Sequence, residues 1–76
     1  MGNTFKNPNF LLGTLELRFE ENTVCIYGTQ KGLKKLSDLC LDLIQSPNQG
    51  HIHLENEMDL TDNSLFGAIA IFDEPK

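Results

Sequence analysis

Apolar and polar residues alternate strictly over "GTLELRFE", residues 13–20: Leu15, Leu17 and Phe19 fall on one side, Glu16, Arg18 and Glu20 on the other. A period of two is that of a half-buried strand. "NTVCIYG", 22–28, keeps the period with β-branched and aromatic residues, which favour strands. Val24 and Ile26 share one face, and Thr23, Cys25 and Tyr27 the other. Glu20-Glu21-Asn22 is short enough to join the two as a hairpin, because Asn22 tolerates a positive φ.

At residue 29 the period changes. In "TQKGLKKLSDLCLDLIQS", 29–46, Leu33, Leu36, Cys40, Leu43 and Ile44 recur at helical spacing, with Leu39 at the edge of their face. Thr29 is the natural N-cap, and Pro47 stops the helix at Ser46. "GHIHLE", 50–55, reads as a third strand with Ile52 and Leu54 one way and His51, His53 and Glu55 the other. "NEMDLTDNS", 56–64, is an acidic connection. "LFGAIAIFD", 65–73, is apolar on both faces, as a central strand is.

The pattern predicts an α+β fold of order β-β-α-β-β: a four-stranded mixed sheet with one helix packed on one face. The helix returns the chain, so strands two and three should run parallel through a right-handed crossover. Residues 1–12 form an irregular lead-in, 13–73 a single domain and 74–76 a tail. Phe5 and Phe10 in the lead-in are expected to tuck against the body.

One helix covers one face. The covered set should be Leu15, Leu17, Phe19, Val24, Ile26, Ile52, Leu54, Ile69 and Ile71. The opposite set, Glu16, Arg18, Cys25, Tyr27, His51, His53, Phe66, Ala68, Ala70 and Phe72, has no second layer unless the lead-in folds over it. That face is too apolar for water alone, and such patches mark interfaces.

Composition narrows the classes. The chain has 76 residues, 39% of them hydrophobic, which is one folded domain. A chain this short buries only roughly 60–65% of the surface its unfolded form exposes. Eleven acids against six bases give a net charge of −5. That argues against nucleic acid, which needs a basic stripe, and is compatible with a basic protein partner. Cys25 and Cys40 have no metal-site spacing and fit a reduced cytoplasmic protein. No apolar run is long enough to span a membrane and no signal peptide is visible.

Three stretches carry candidate chemistry. His51 and His53 lie two apart on a strand, and with Glu55 could offer three ligands, but structural zinc wants four. Surface or interface imidazoles are the preferred reading, and no metal, cofactor or catalytic residue is assigned. The lysines of "GTQKGLKK" match no phosphate-binding motif; Lys34 and Asp38 suit an i,i+4 ion pair. The third stretch, "ENEMDLTDN", carries Glu55, Glu57, Asp59 and Asp62 with Met58 among them. An acidic rim beside an apolar face would steer and then dock a basic protein. The expected partner surface is therefore Tyr27, His51, His53, Glu55, Glu57, Met58, Asp59, Asp62, Phe66 and Phe72.

"GLKKLSDLCLDLI", then "GHIHLE", "LTDNS" and a final apolar strand together resemble the small α+β immunity proteins of bacterial polymorphic toxin systems. The likeness covers about residues 13–73, on His51 and His53 in the strand and Leu60, Thr61 and Ser64 in the turn. It implies a non-catalytic protein that binds and inhibits a cognate toxin, here a basic toxin domain. The alternatives are a homodimer formed through the open sheet face and, less favoured, a metal-binding protein using His51 and His53.

Overall fold

The computed structural model describes residues 10–72; Phe5 lies outside them. A single 3-10 turn at Phe10–Leu12 leads into β1, Leu15–Glu20, which pairs antiparallel with β2, Thr23–Gly28. Glu20 stands opposite Thr23, so Glu21 and Asn22 alone make the turn, both with positive φ (52° and 59°). Two positive φ values in a two-residue loop match the right-handed twist of the strands. Asn22 takes its conformation readily, and Glu21 does so against its preference.

The helix α1, Gln30–Gln45, starts where its cap predicts: the Thr29 hydroxyl accepts a hydrogen bond from the Gly32 amide at 3.1 Å. Its base is fixed to the hairpin, because the Thr29 amide donates to the Thr14 carbonyl at 3.0 Å. Gly32 makes that approach possible, since a Cβ there would lie 2.0 Å from the Thr14 oxygen. The face turned to the core carries Gly32, Leu39 and Leu43, with Leu36 packed beside them. The expected face is therefore corrected: Leu39 is central, and Leu33, Cys40 and Ile44 are exposed. Contact at Gly32 rotates the helix away from its most apolar reading.

After a 3-10 turn at Pro47–Gln49 comes β3, His51–His53, followed by a helical turn α2, Leu54–Glu57, and finally β4, Ala68–Ala70, antiparallel to β3. The third strand thus ends two residues before its predicted limit, because the chain coils at Leu54. The last strand is three residues long and not central.

The single four-stranded sheet does not form. The molecule has two separate two-stranded sheets, β1-β2 and β3-β4, and β2 and β3 do not run side by side. What occupies the free edge of β1 is the segment 59–65. The amide of Thr14 donates to the Asp59 carbonyl (2.7 Å), that of Thr61 to Leu15 (3.0 Å) and that of Leu65 to Leu17 (2.8 Å), with a parallel bridge between Leu15 and Leu60. A loop has taken the place of the expected central strand. It satisfies the backbone groups that an open edge would leave bare.

The core is small. Leu15, Leu17, Leu39 and Leu54 form one buried cluster, with Leu36, Ile52, Met58, Leu60 and Ile69 packed on it. Full burial of a leucine contributes about 1.5–3 kcal/mol.

Candidate functional site

The hairpin and α1 touch at their base and part toward the hairpin tip. The contacts that join them, the Thr29 amide to the Thr14 carbonyl and Gly32 against Thr14, lie at that base. Leu15 and Leu17 are buried as expected, but the rest of the hairpin departs from the expected faces. Phe19, Val24 and Ile26, read as covered, are 61%, 72% and 52% exposed. Glu16, read as open, is fully buried, and Arg18, Cys25 and Tyr27 are half-buried.

The polar side of the hairpin is closed by its own network. Arg18 bonds the Glu16 carboxylate through Nε and lies 3.3 Å from Glu20 through Nη1. Its guanidinium carbon stands 5.2 Å from the centre of the Tyr27 ring, and the Tyr27 hydroxyl donates to Glu20 at 3.5 Å. The Thr61 hydroxyl donates to the other oxygen of Glu16. Loss of solvation opposes the Arg18 charge, but the hydrogen bond and charge of Glu16, then those of Glu20, outweigh it and raise its pKa. The Tyr27 phenol is also pushed above its ordinary value, by desolvation first and then by the Glu20 charge, against the pull of Arg18. This side is built as structure, and Tyr27 belongs to it.

The apolar side is an open trough of about 470 Å³ between the hairpin, α1 and the segment before β4. Leu17, Leu54 and Ile69 form its floor; Phe19, Val24, Ile26, Leu36, Leu65 and Phe66 form its walls. Phe66, 79% exposed, also lines a second hollow of about 680 Å³. There the charged side chains are Glu55, Asp59 and Asp62, with no lysine, arginine or histidine among the lining residues. One Glu55 oxygen lies 3.3 Å from His53 Nδ1, and the other is buried with no hydrogen-bond donor.

Of the expected partner residues, Glu55, Met58, Asp59, Asp62 and Phe66 meet around this acidic hollow. Met58 is partly buried against the core, so its role is mostly packing. His51, His53 and Glu57 line a separate hollow with Asp42. The two imidazoles are exposed, share a face as the strand spacing requires, and meet edge to face with centroids 4.9 Å apart. Among the described residues no group of three or more His, Cys, Asp or Glu is placed to hold a metal ion. Phe72 lies beyond β4, 91% exposed. The lysines on α1 behave as a solvated face, with Lys34 paired to Asp38 at 2.9 Å.

Phe19, Val24 and Ile26 are the residues whose exposure sequence reasoning missed. Their alternation reads equally as a buried or an unpartnered face, and the sequence carries no signal that separates the two.

The described residues thus form a small α+β frame with an open apolar trough and an acidic hollow beside it. The family model described as Immunity protein 32 matches residues 23–72, and the chain belongs to that family. The curated proteins and the solved structures gave no match. The matched span holds α1, β3 and the "LTDNS" turn, the pieces that carried the resemblance in the sequence. The turn residues serve the frame: Leu60 bridges to Leu15, Thr61 bonds Glu16, and Ser64 Oγ accepts the Leu17 amide at 2.8 Å.

Proposed function

We infer that this chain is a non-catalytic immunity protein that binds a cognate toxin in the cytoplasm and inhibits it by occupying its surface. The observation that carries the reading is the family match over residues 23–72. Two features support it. Phe19, Val24, Ile26, Leu65 and Phe66, all exposed, line one trough, and a contiguous apolar patch is the kind of surface that marks an interaction site. The net charge of −5 suits a basic partner. No helix among the described residues is long and apolar enough to cross a membrane.

The test is to express the toxin encoded beside this gene with and without this chain. The expected result is that growth arrest by the toxin is relieved and that the two proteins copurify as a complex. Toxicity that persists at full expression of the folded chain, with no complex formed, overturns the reading.

A further inference from the structure

We propose that the outer edge of β2 pairs with the same edge of a second copy of this chain. The two strands run antiparallel about a two-fold axis at Cys25. The proposal goes beyond the immunity reading and does not depend on it. It starts from where the hairpin's main-chain groups point. In an antiparallel pair, residues that bond the partner strand alternate with residues whose amide and carbonyl point away from it. On β1 the outward set includes Leu15 and Leu17. The 59–65 segment bonds the amide and carbonyl of Leu15 and the carbonyl of Leu17, and the Ser64 hydroxyl accepts the Leu17 amide. Leu17 stands opposite Ile26, and Phe19 opposite Val24. Val24 and Ile26 therefore aim their amides and carbonyls out of the hairpin on the other side. There β2 has no neighbouring strand, and among the described residues no backbone hydrogen bond reaches these groups.

Such an edge accepts an extended strand, which supplies donors and acceptors at the same two-residue repeat. Proteins keep edges single with a lysine, a proline or a bulge. Thr23–Gly28 has none of these: it is uncharged and pairs with β1 residue for residue. Two chains of net charge −5 can therefore meet along a neutral line. The edge also fits itself. With the axis at Cys25, Val24 lies opposite Ile26 of the partner subunit, and Ile26 opposite Val24 of the partner subunit. Each of these pairs exchanges both its main-chain hydrogen bonds. Their β-branched side chains, 72% and 52% exposed, then meet on the trough side, a cross-strand contact that stabilises sheets. Cys25 faces Cys25 of the partner subunit in a pair that shares no hydrogen bond. Cα atoms in such pairs stand about 4.5 Å apart, within reach of a disulfide.

The test is sedimentation equilibrium of the full, reduced chain from about 10 μM to about 1 mM, the range of a small interface. A monomer–dimer equilibrium is expected there. Val24→Lys puts a charge on the edge and Val24→Pro removes an outward amide, and the two-fold axis repeats each change. Each is expected to weaken dimerisation about tenfold or more, with circular dichroism confirming the fold. Leu41→Lys, at an exposed helix position outside the trough, is expected to leave it within about twofold. In a Cys40→Ser background, added oxidised glutathione should join the copies through Cys25. The two thiols give up two protons and two electrons, and the glutathione disulfide becomes two thiols. A chain that stays single at about 1 mM overturns the proposal. So does a dimer that the folded Val24 variants leave within about twofold, or that Leu41→Lys weakens equally. A dimer that gives no Cys25 cross-link is not paired about Cys25, which also overturns it. A chain that stays single, but loses toxin binding with Val24→Pro, assigns the edge to the toxin and overturns the second copy.

Discussion

The Thr61 hydroxyl donates to the fully buried carboxylate of Glu16, a bond that spans 45 residues of chain. With Arg18 on the other carboxylate oxygen, it lets a charge sit inside a small protein at tolerable cost. It also ties the 59–65 segment to β1 at a second level, beneath the backbone hydrogen bonds.

Thr61→Val keeps the shape and removes the donor. The loss leaves a buried carboxylate oxygen without a partner, and unfolding in urea should show about 1–3 kcal/mol less stability. Ser37→Ala, on the exposed side of α1, should change it by less than about 0.5 kcal/mol. Equal effects at the two sites would contradict the arrangement.

At Gly32 two effects oppose each other. Alanine in an exposed helix interior is favoured over glycine by about 1 kcal/mol. Here the added Cβ would meet the Thr14 carbonyl oxygen at 2.0 Å and its carbon at 2.7 Å, and backbone cannot rotate out of the way as a side chain can. Gly32→Ala should therefore lower the melting temperature, with a net loss of about 1–3 kcal/mol as the helix is pushed off the hairpin. A variant that melts higher than the parent would show that this contact is loose.

Tyr27 is the chain's single tyrosine, so its ionisation can be followed alone by ultraviolet absorbance. Its pKa is raised, by desolvation first and then by Glu20, so the midpoint should lie above about 10. The folded protein holds this proton more tightly than the unfolded chain does. The stabilising contribution is thus complete below the unfolded value and is lost as pH rises through the folded one. Glu20→Gln removes the charge and should bring the midpoint down; an unchanged midpoint would exclude Glu20 as a cause.

The local structure of this chain was legible and its assembly was not. The period of two over Leu15–Glu20, the helical period after Thr29, and the turn capacity of Asn22 each act within a few residues, and the hairpin and α1 stand where those signals place them. Sheet membership depends on which edges meet. Backbone edges carry no sequence code: the 59–65 segment competes for the edge of β1 with main-chain groups that any residue supplies. Once that loop takes it, the apolar run "LFGAIAIFD" no longer needs to be central. The site divides along the same line. The acidic hollow was readable because its carboxylates are close in sequence, whereas the exposure of Val24 and Ile26 depends on which part of the hairpin the rest of the chain covers.

The strap formed by residues 59–65 has a consequence for synthesis. β1 is made early and its outer edge is sealed only when a stretch more than forty residues later has left the ribosome. Until then a ribbon bearing Phe19, Val24 and Ile26 has a further naked side, the kind of template on which chains stick to one another. Any delay between the emergence of the hairpin and the release of residues 59–65 should therefore lower the yield of usable protein.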